Sequence, residues 1–312
     1  MPFDAPPPAA GGEVAIEGRS PWRLAWLRLR SDRVALVCGA LIGLITLFAI
    51  FAPLAAYITG HGPNDQDLVN GLTPAGLPRP PSSEFWFGTD DLGRDVFVRV
   101  AYGARISLIA GVVASTCACT IGVLVGMTAG YFGGAVDTFL ARSMDVILSF
   151  PFLLFAIALI SIVGPSLTVA IAIIVFFSWA AVGRIVRGQT LSIKEKEYIE
   201  AGRSLGASNL RIMFADILPN LMAPVLVYLA LLIPASIVFE ATLSFLGLGV
   251  VPPTASWGNM LSESLGFYQV AWWFEFFPGM FLLVTTLSFN LLGDSIRDAL
   301  DPRGESLFRR SR

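Results

Sequence analysis

Three acids crowd the octet GTDDLGRD at 88–95, where Asp90, Asp91 and Asp95 surround Arg94. Clustered carboxylates are the donors that a hard cation takes. A calcium loop, however, needs oxygen ligands at alternating positions and a distal bidentate acid, and Arg94 already supplies a positive charge among these acids. The octet is therefore expected to form a salt-bridged turn at a membrane edge, with Gly88, Asp90, Gly93, Arg94 and Asp95 in structural roles. Softer ligands are sparse. The chain has one histidine, His61, and three cysteines, Cys38, Cys117 and Cys119. Residues two apart on a helix point about 200° from one another, so the CAC at 117–119 is a poor chelate or disulfide pair, and the thiols are expected to be small packing residues. No metal site and no catalytic constellation of nucleophile, base and acid is expected. The phosphate-cradling pattern G-x-x-x-x-G-K-[ST] is absent, and the only lysines are Lys194 and Lys196, so this chain is not expected to hydrolyse ATP or to act as an enzyme.

The elements that must position these residues follow from hydropathy. The 312 residues are 55% hydrophobic and only 14% charged, with a mean hydropathy of +0.70, far from a soluble domain. Charge-free runs cover 34–64, 106–136, 146–183, 217–239, 241–262 and 276–293. A helix needs about 20 apolar residues to cross the hydrocarbon core, and VGPS at 163–166 divides the longest run at a turn. Six spans are expected, near 34–58, 106–130, 146–163, 167–186, 221–243 and 276–294, in an all-α integral membrane fold. Seventeen of the 21 lysines and arginines fall in the N-terminal segment, the loop after span 2, the segment after span 4 and the C-terminal tail. Only Arg79, Arg94, Arg99 and Arg105 fall on the other side, so both termini are expected to be cytoplasmic.

Five regions follow. Residues 1–18, rich in Pro and Gly, read as a disordered cytoplasmic tail without a cleavable signal. Residues 19–58 hold a basic segment and the first span, 59–104 an outer loop, 105–300 a five-helix core with a cytoplasmic segment at 187–220, and 301–312 a second tail. Gly122, Gly126 and Gly130 recur at four-residue steps and form a flat ridge for a neighbouring helix, and Gly39 and Gly43 are expected to do the same in span 1. Glu240 stands about twenty residues into span 5, near its outer end. Such an acid either faces protein or a water-filled cavity, or marks the interface.

The cytoplasmic segment contains IEAGRSLGASNLRIMFADILP at 199–219. Tyr198, Ala201, Gly202 and Leu205 share one helix face, Gly206 can take the left-handed conformation that ends the helix, and Ser208 can cap a second one. Leu210, Met213, Phe214 and Ile217 repeat the spacing, and Pro219 closes the motif. The opposite face carries Glu200, Arg203, Ser204 and Arg211 toward water or a partner. Such a pair rests on lipid headgroups or docks a protein.

This stretch resembles the EAA loop of ABC-importer permeases. Glu200, Ala201, Gly206, Leu218 and Pro219 match its spacing, while Gly202 replaces the usual second alanine and Asp216 stands where an apolar residue or histidine is usual. FGTDDLGRDVFVRVAYGARISL (87–108), FEATLSFLGLG (239–249), PTASWGNML (253–261) and LLGDSIRDALDPR (291–303) are similar to the dipeptide, oligopeptide and nickel branch, in its C-type permease. The resemblance implies a type I ABC importer permease fold in a prokaryotic cytoplasmic (inner) membrane, among membrane lipid and without nucleic acid. It implies a homologous second permease, an external solute-binding protein and two ATPase subunits that hold ATP and magnesium, none of it bound by this chain. It also makes Glu200, Ala201, Gly202, Arg203, Gly206, Ala207 and Arg211 the ATPase-docking residues, with Glu200 the principal polar contact, and peptides the leading cargo. The rival expectations are a self-sufficient channel or secondary transporter and a membrane anchor that moves no solute.

Overall fold

In the computed structural model, residues 21–300 are described and every regular element among them is a helix. The expected tails at 1–18 and 301–312 lie outside the described residues. Five helices are long and apolar enough to cross a membrane, and a sixth crossing is obtained if one sharply bent pair counts as a broken span.

A short helix α1 (Pro21–Ser31) leads through Asp32 into α2 (Arg33–Ile50), whose N-terminus is capped where the Asp32 carboxylate accepts from Val34 N at 2.9 Å. The first span does not continue unbroken to residue 58. It is interrupted at Phe51 and resumes as α3 (Ala52–Thr59), because Pro53 has no N–H to give and suits only a first helical turn.

Helix α4 (Val96–Phe132) starts ten residues before the expected span 2. At 37 residues it is about 55 Å long, well beyond a 30 Å hydrocarbon layer, so about half of its length lies outside that layer. Residues 96–104, read as loop, are therefore helix; the Asp95 side chain caps them, accepting from Phe97 N at 2.8 Å.

The expected third span is not one straight helix. α5 (Gly134–Ser149) and α6 (Phe152–Val163) meet at 84°. Pro151 disfavours helical backbone at Phe150 and lacks an N–H, so the ladder fails there despite the uninterrupted apolar run. The turn at VGPS forms as expected, with Gly164 at φ +93° and the Ser166 hydroxyl accepting from Val169 N at 3.2 Å to cap α7 (Leu167–Ile193).

After the segment at 194–217, α10 (Leu218–Phe245), the short helix α11 (Trp257–Ser264) and α12 (Trp272–Leu300) complete the bundle. The glycine ridge packs as expected. A Cβ at Gly122 would meet Val182 Cβ at 2.7 Å and one at Gly130 would meet Thr190 Cβ at 2.7 Å, while Gly126 faces the Gly183 carbonyl and Val186, so α4 and α7 touch backbone to backbone. In span 1, no described residue of this chain lies within 4 Å of a Cβ at Gly39 or Gly43, so those glycines seat no helix of the same chain. Cys38 and Cys119 are buried packing residues, but Cys117 faces outward on α4.

Candidate functional site

The segment between α7 and α10 folds as a helical hairpin. α8 (Glu197–Ser204) ends at Gly206, whose φ of +82° is left-handed, and Ala207 N donates to Gly202 O at 3.1 Å to close the turn. The Ser208 hydroxyl then accepts from Arg211 N at 3.4 Å at the start of α9 (Asn209–Arg211). The second arm departs from expectation. It passes through a π-helical turn at Ile212–Ile217 straight into α10, so Pro219 does not close the motif but lies inside a continuous helix from Asn209 to Phe245. The widened turn just ahead of Pro219 accommodates a residue without an N–H.

The buried face also differs. Ile199 on α8 packs inward with Ile212, Met213 and Ile217, whereas Tyr198 (45% exposed), Leu205 (88%), Leu210 (67%) and Phe214 (46%) point outward. On an eight-residue helix the stripe 198/201/202/205 and the neighbouring stripe through Ile199 are equally periodic. The reversal at Gly206 selects the one aligned with Ile212 and Met213. The π turn likewise splits the expected set, burying Met213 and Ile217 and exposing Leu210 and Phe214.

Among the expected docking residues, Glu200, Ala201, Arg203, Gly206 and Arg211 are exposed, and Gly202 and Ala207 are half-buried. Arg203 is also held by its own chain, its guanidinium 5.1 Å from the centroid of the Tyr131 ring. The hairpin thus leaves four large apolar side chains exposed, together with Glu200 and Arg211, on a well-packed base. Large apolar side chains left exposed together on so short a segment are what an interaction surface needs.

At the other end of the molecule, GTDDLGRD forms the expected salt-bridged turn and recruits residues that the sequence reading did not place there. Gly88 and Gly93 have positive φ, +75° and +73°, and Asp90 N donates to Arg94 O at 3.0 Å. Arg94 pairs with Asp90 at 2.6 Å and with Glu263 of α11 at 3.0 Å; Arg99 of α4 pairs with Asp90 at 3.2 Å and Glu263 at 2.9 Å. Arg99 also donates to the carbonyls of Pro63 (3.3 Å) and Pro253 (3.5 Å). His61 stacks on Phe85 and contacts Asp95 at 3.2 Å.

Burial pushes the Asp95, Asp91 and Glu263 carboxyls above their ordinary range, with Asp90 adding to the effect on Asp91. Donor atoms of Asp90, Asp91 and Glu263 lie within 4.8 Å of one another, the closest approach to a metal-binding set among the described residues. Two guanidiniums already occupy that centre, so its chemistry is that of a buried ion-pair cluster. The sequence signals that could have found Arg99 and Glu263 are their isolation: Arg99 is a charge on an apolar helix, and Glu263 is the only acid between Glu240 and Glu275.

Glu240 is fully buried in protein, which settles it away from the interface. It accepts from the hydroxyls of Ser107 on α4 (2.8 Å) and Ser244 (2.7 Å), tying α10 to α4.

Residues 122–305 match the family model of the binding-protein-dependent transport system inner membrane component, and residues 20–75 match that of the N-terminal TM domain of oligopeptide transport permease C. A dipeptide transport system permease protein of Alkalihalophilus pseudofirmus is 41% identical over 97% of this chain and 95% of its own length. An oligopeptide transport system permease protein of Bacillus subtilis is 41% identical over 93% and 92%, and a glutathione transport system permease protein of Pectobacterium atrosepticum 39% identical over 92% and 93%. Among solved structures, a chain of the MetNI methionine ABC transporter in an inward-facing conformation superposes with a TM-score of 0.54 at 18% identity, covering 65% of this chain and 96% of that one. That likeness shows a shared permease fold. The apolar spans, the capped hairpin and these matches agree, and the chain belongs to the family of binding-protein-dependent transport system inner membrane components.

Proposed function

We propose that this chain is one permease subunit of an ATP-driven importer of peptides, coupled to its ATPase through the hairpin at 197–217. The observation that carries the reading is that the hairpin leaves Tyr198, Leu205, Leu210 and Phe214 exposed and presents Glu200 to the outside as well. A surface meant only to rest on lipid headgroups would set basic residues alone beside its apolar side chains, whereas this hairpin exposes Glu200 along with Arg203 and Arg211, and among the described residues the Glu200 carboxylate has no ion-pair partner. A groove on an ATPase subunit fits this mixture of grease and an unpaired acid. Ala201, Gly202, Gly206 and Ala207 keep the surface close to the backbone, while Arg203 and Arg211 edge it.

In this reading ATP and magnesium are held by two ATPase subunits, since the chain lacks a phosphate-binding loop of its own. A second, homologous permease completes the path, and an external solute-binding protein delivers the cargo. Closure of the ATPases draws on Glu200 and tilts a bistable bundle between inward and outward states. Both termini and the hairpin face the cytoplasm, as the excess of arginine on that side supports. Peptides are favoured as cargo by the dipeptide and oligopeptide relatives.

The test is affinity purification of the tagged chain from native membranes in mild detergent, with mass spectrometry of its companions. An ATPase and a second multi-span protein are expected. Glu200→Arg should abolish ATP-driven uptake while leaving the chain in the membrane, and wild-type uptake in that variant would sink the docking role of Glu200. Recovery of the chain alone from the same membranes would favour a self-sufficient carrier.

A further inference from the structure

The inner side of the hairpin holds a contact that its docking role does not require. Tyr131 sits in the last turn of α4, buried in the cluster that includes Ile199, Ile212, Met213 and Ile217. Its hydroxyl donates to Asn209 Oδ1 at 2.8 Å, and the Arg203 guanidinium lies 5.1 Å from its ring centroid. Arg203 belongs to α8 and Asn209 to α9, on opposite sides of the Gly206 turn. One side chain of α4 therefore grips both arms of the hairpin, the first through its π face and the second through its hydroxyl.

The helix behind that grip is unusual in reach. Tyr131 follows Gly130, the last member of the ridge that seats α4 on α7 backbone to backbone. At the far end of the same unbroken helix, Asp95 caps the N-terminus and Arg99 enters the buried ion-pair cluster with Asp90 and Glu263. No proline interrupts the helix between Val96 and Phe132, so a displacement applied at Tyr131 is carried along a stiff rod of about 55 Å to its other end.

We propose that Tyr131 is the positioning residue that transmits hairpin motion to α4, holding α8 and α9 as one body through Arg203 and Asn209. The proposal rests on the docking reading above and adds where the force enters the bundle. Ile199 and its neighbours bury the hairpin base, but apolar contacts slide at little cost. A directional hydrogen bond and a cation over a ring fix the register of both arms on one helix.

The full complex, reconstituted in lipid vesicles with its binding protein, is assayed for radiolabelled alanyl-alanine uptake per ATP hydrolysed, alongside copurification of the ATPase. Tyr131→Leu is expected to keep the ATPase bound yet lower uptake per ATP about fivefold or more, a usual size for a coupling between sites. Tyr131→Phe, which loses only the hydroxyl, should show a smaller fall matched by Asn209→Leu. The double variant Tyr131→Phe with Asn209→Leu should be no worse than the worse single, because both remove the same bond. Arg203→Lys should retain more coupling than Arg203→Gln. If Tyr131→Leu is poorly produced, the two mild variants decide. Unchanged uptake per ATP in both, with the ATPase bound, overturns the clamp and leaves the docking reading standing. Equal loss of yield and of coupling in Tyr131→Phe assigns the residue a merely structural role and also overturns the clamp. A wild-type chain that retains no ATPase overturns the docking reading and the clamp together.

Discussion

Replacing Arg99 by leucine gives the largest effect that the buried ion-pair cluster predicts. The Arg99 side chain is fully buried, and four acceptors depend on it: Asp90 at 3.2 Å, Glu263 at 2.9 Å, and the carbonyls of Pro63 and Pro253 at 3.3 and 3.5 Å. Without it, Asp90, Asp91 and Glu263 face Arg94 alone. Removing one member of a buried pair costs about 3–5 kcal/mol, because the remaining charge stays out of water. Glu263 keeps some solvent contact, with 18% of its side chain exposed, which places the cost near the lower end. For a chain of this size, about 3 kcal/mol corresponds to a fall of about 5 °C in the unfolding midpoint. The assay is thermal unfolding of the purified complex in detergent by tryptophan fluorescence, for which Trp257 and Trp273 are buried reporters. Arg105→Leu serves as control; Arg105 is exposed, lies 5.7 Å from the Tyr102 ring centroid with no ion pair among the described residues, and should shift stability by less than about 0.5 kcal/mol.

The pH dependence carries a sign. Burial raises the Glu263 and Asp91 carboxyls, so the folded chain holds their protons more tightly than the unfolded chain. Their destabilising effect is absent below the ordinary carboxyl range and grows as pH rises through it toward the raised values. Loss of Arg99 raises them further, so the deficit of Arg99→Leu should shrink on acidification from about pH 8 to about pH 5. Adding Glu263→Leu should recover part of the loss, since contacting residues couple by about 0.5–3 kcal/mol. A midpoint within about 2 °C of wild type, or strict additivity in the double variant, would refute the view of these residues as one ion-pair network.

Other perturbations separate packing from docking. Gly126→Val drives a side chain into the Gly183 carbonyl and Val186 and should cost about 1–3 kcal/mol or more, read as lost folded yield; Gly39→Ala, with open space around it, should keep yield or gain up to about 1 kcal/mol of helix propensity. Gly206→Val forces a branched residue to φ +82°, at about 1–2 kcal/mol, and should release the ATPase on purification while the chain remains in the membrane. Glu240→Gln should preserve the link between α4 and α10, whereas Glu240→Leu leaves the Ser107 hydroxyl without its acceptor and should lower the midpoint by about 1–3 kcal/mol equivalent, and equal midpoints for the two would deny Glu240 that role.

The sequence by itself determined the class of this protein, and it did so through local rules. Charge-free runs of spanning length, glycine at four-residue steps on α4, Gly206 and Ser208 bracketing a turn, and the capped start of α7 each depend on residues within a few positions of one another. Their outcome changes little with what surrounds them. Proline was local too, but Pro151 and Pro53 broke spans that hydropathy alone read as continuous, because backbone donors count where averaged greasiness does not. What only the tertiary structure decided was the choice between equivalent local solutions. Ile199 rather than Tyr198 turned inward because Ile212 and Met213 waited across the reversal at Gly206. Arg99 and Glu263, 164 residues apart, met at Asp90, and Tyr131 met both arms of the hairpin from 72 and 78 residues away in the chain. A buried charge or hydroxyl must find its partner wherever the fold brings one, and no window along the chain contains that information.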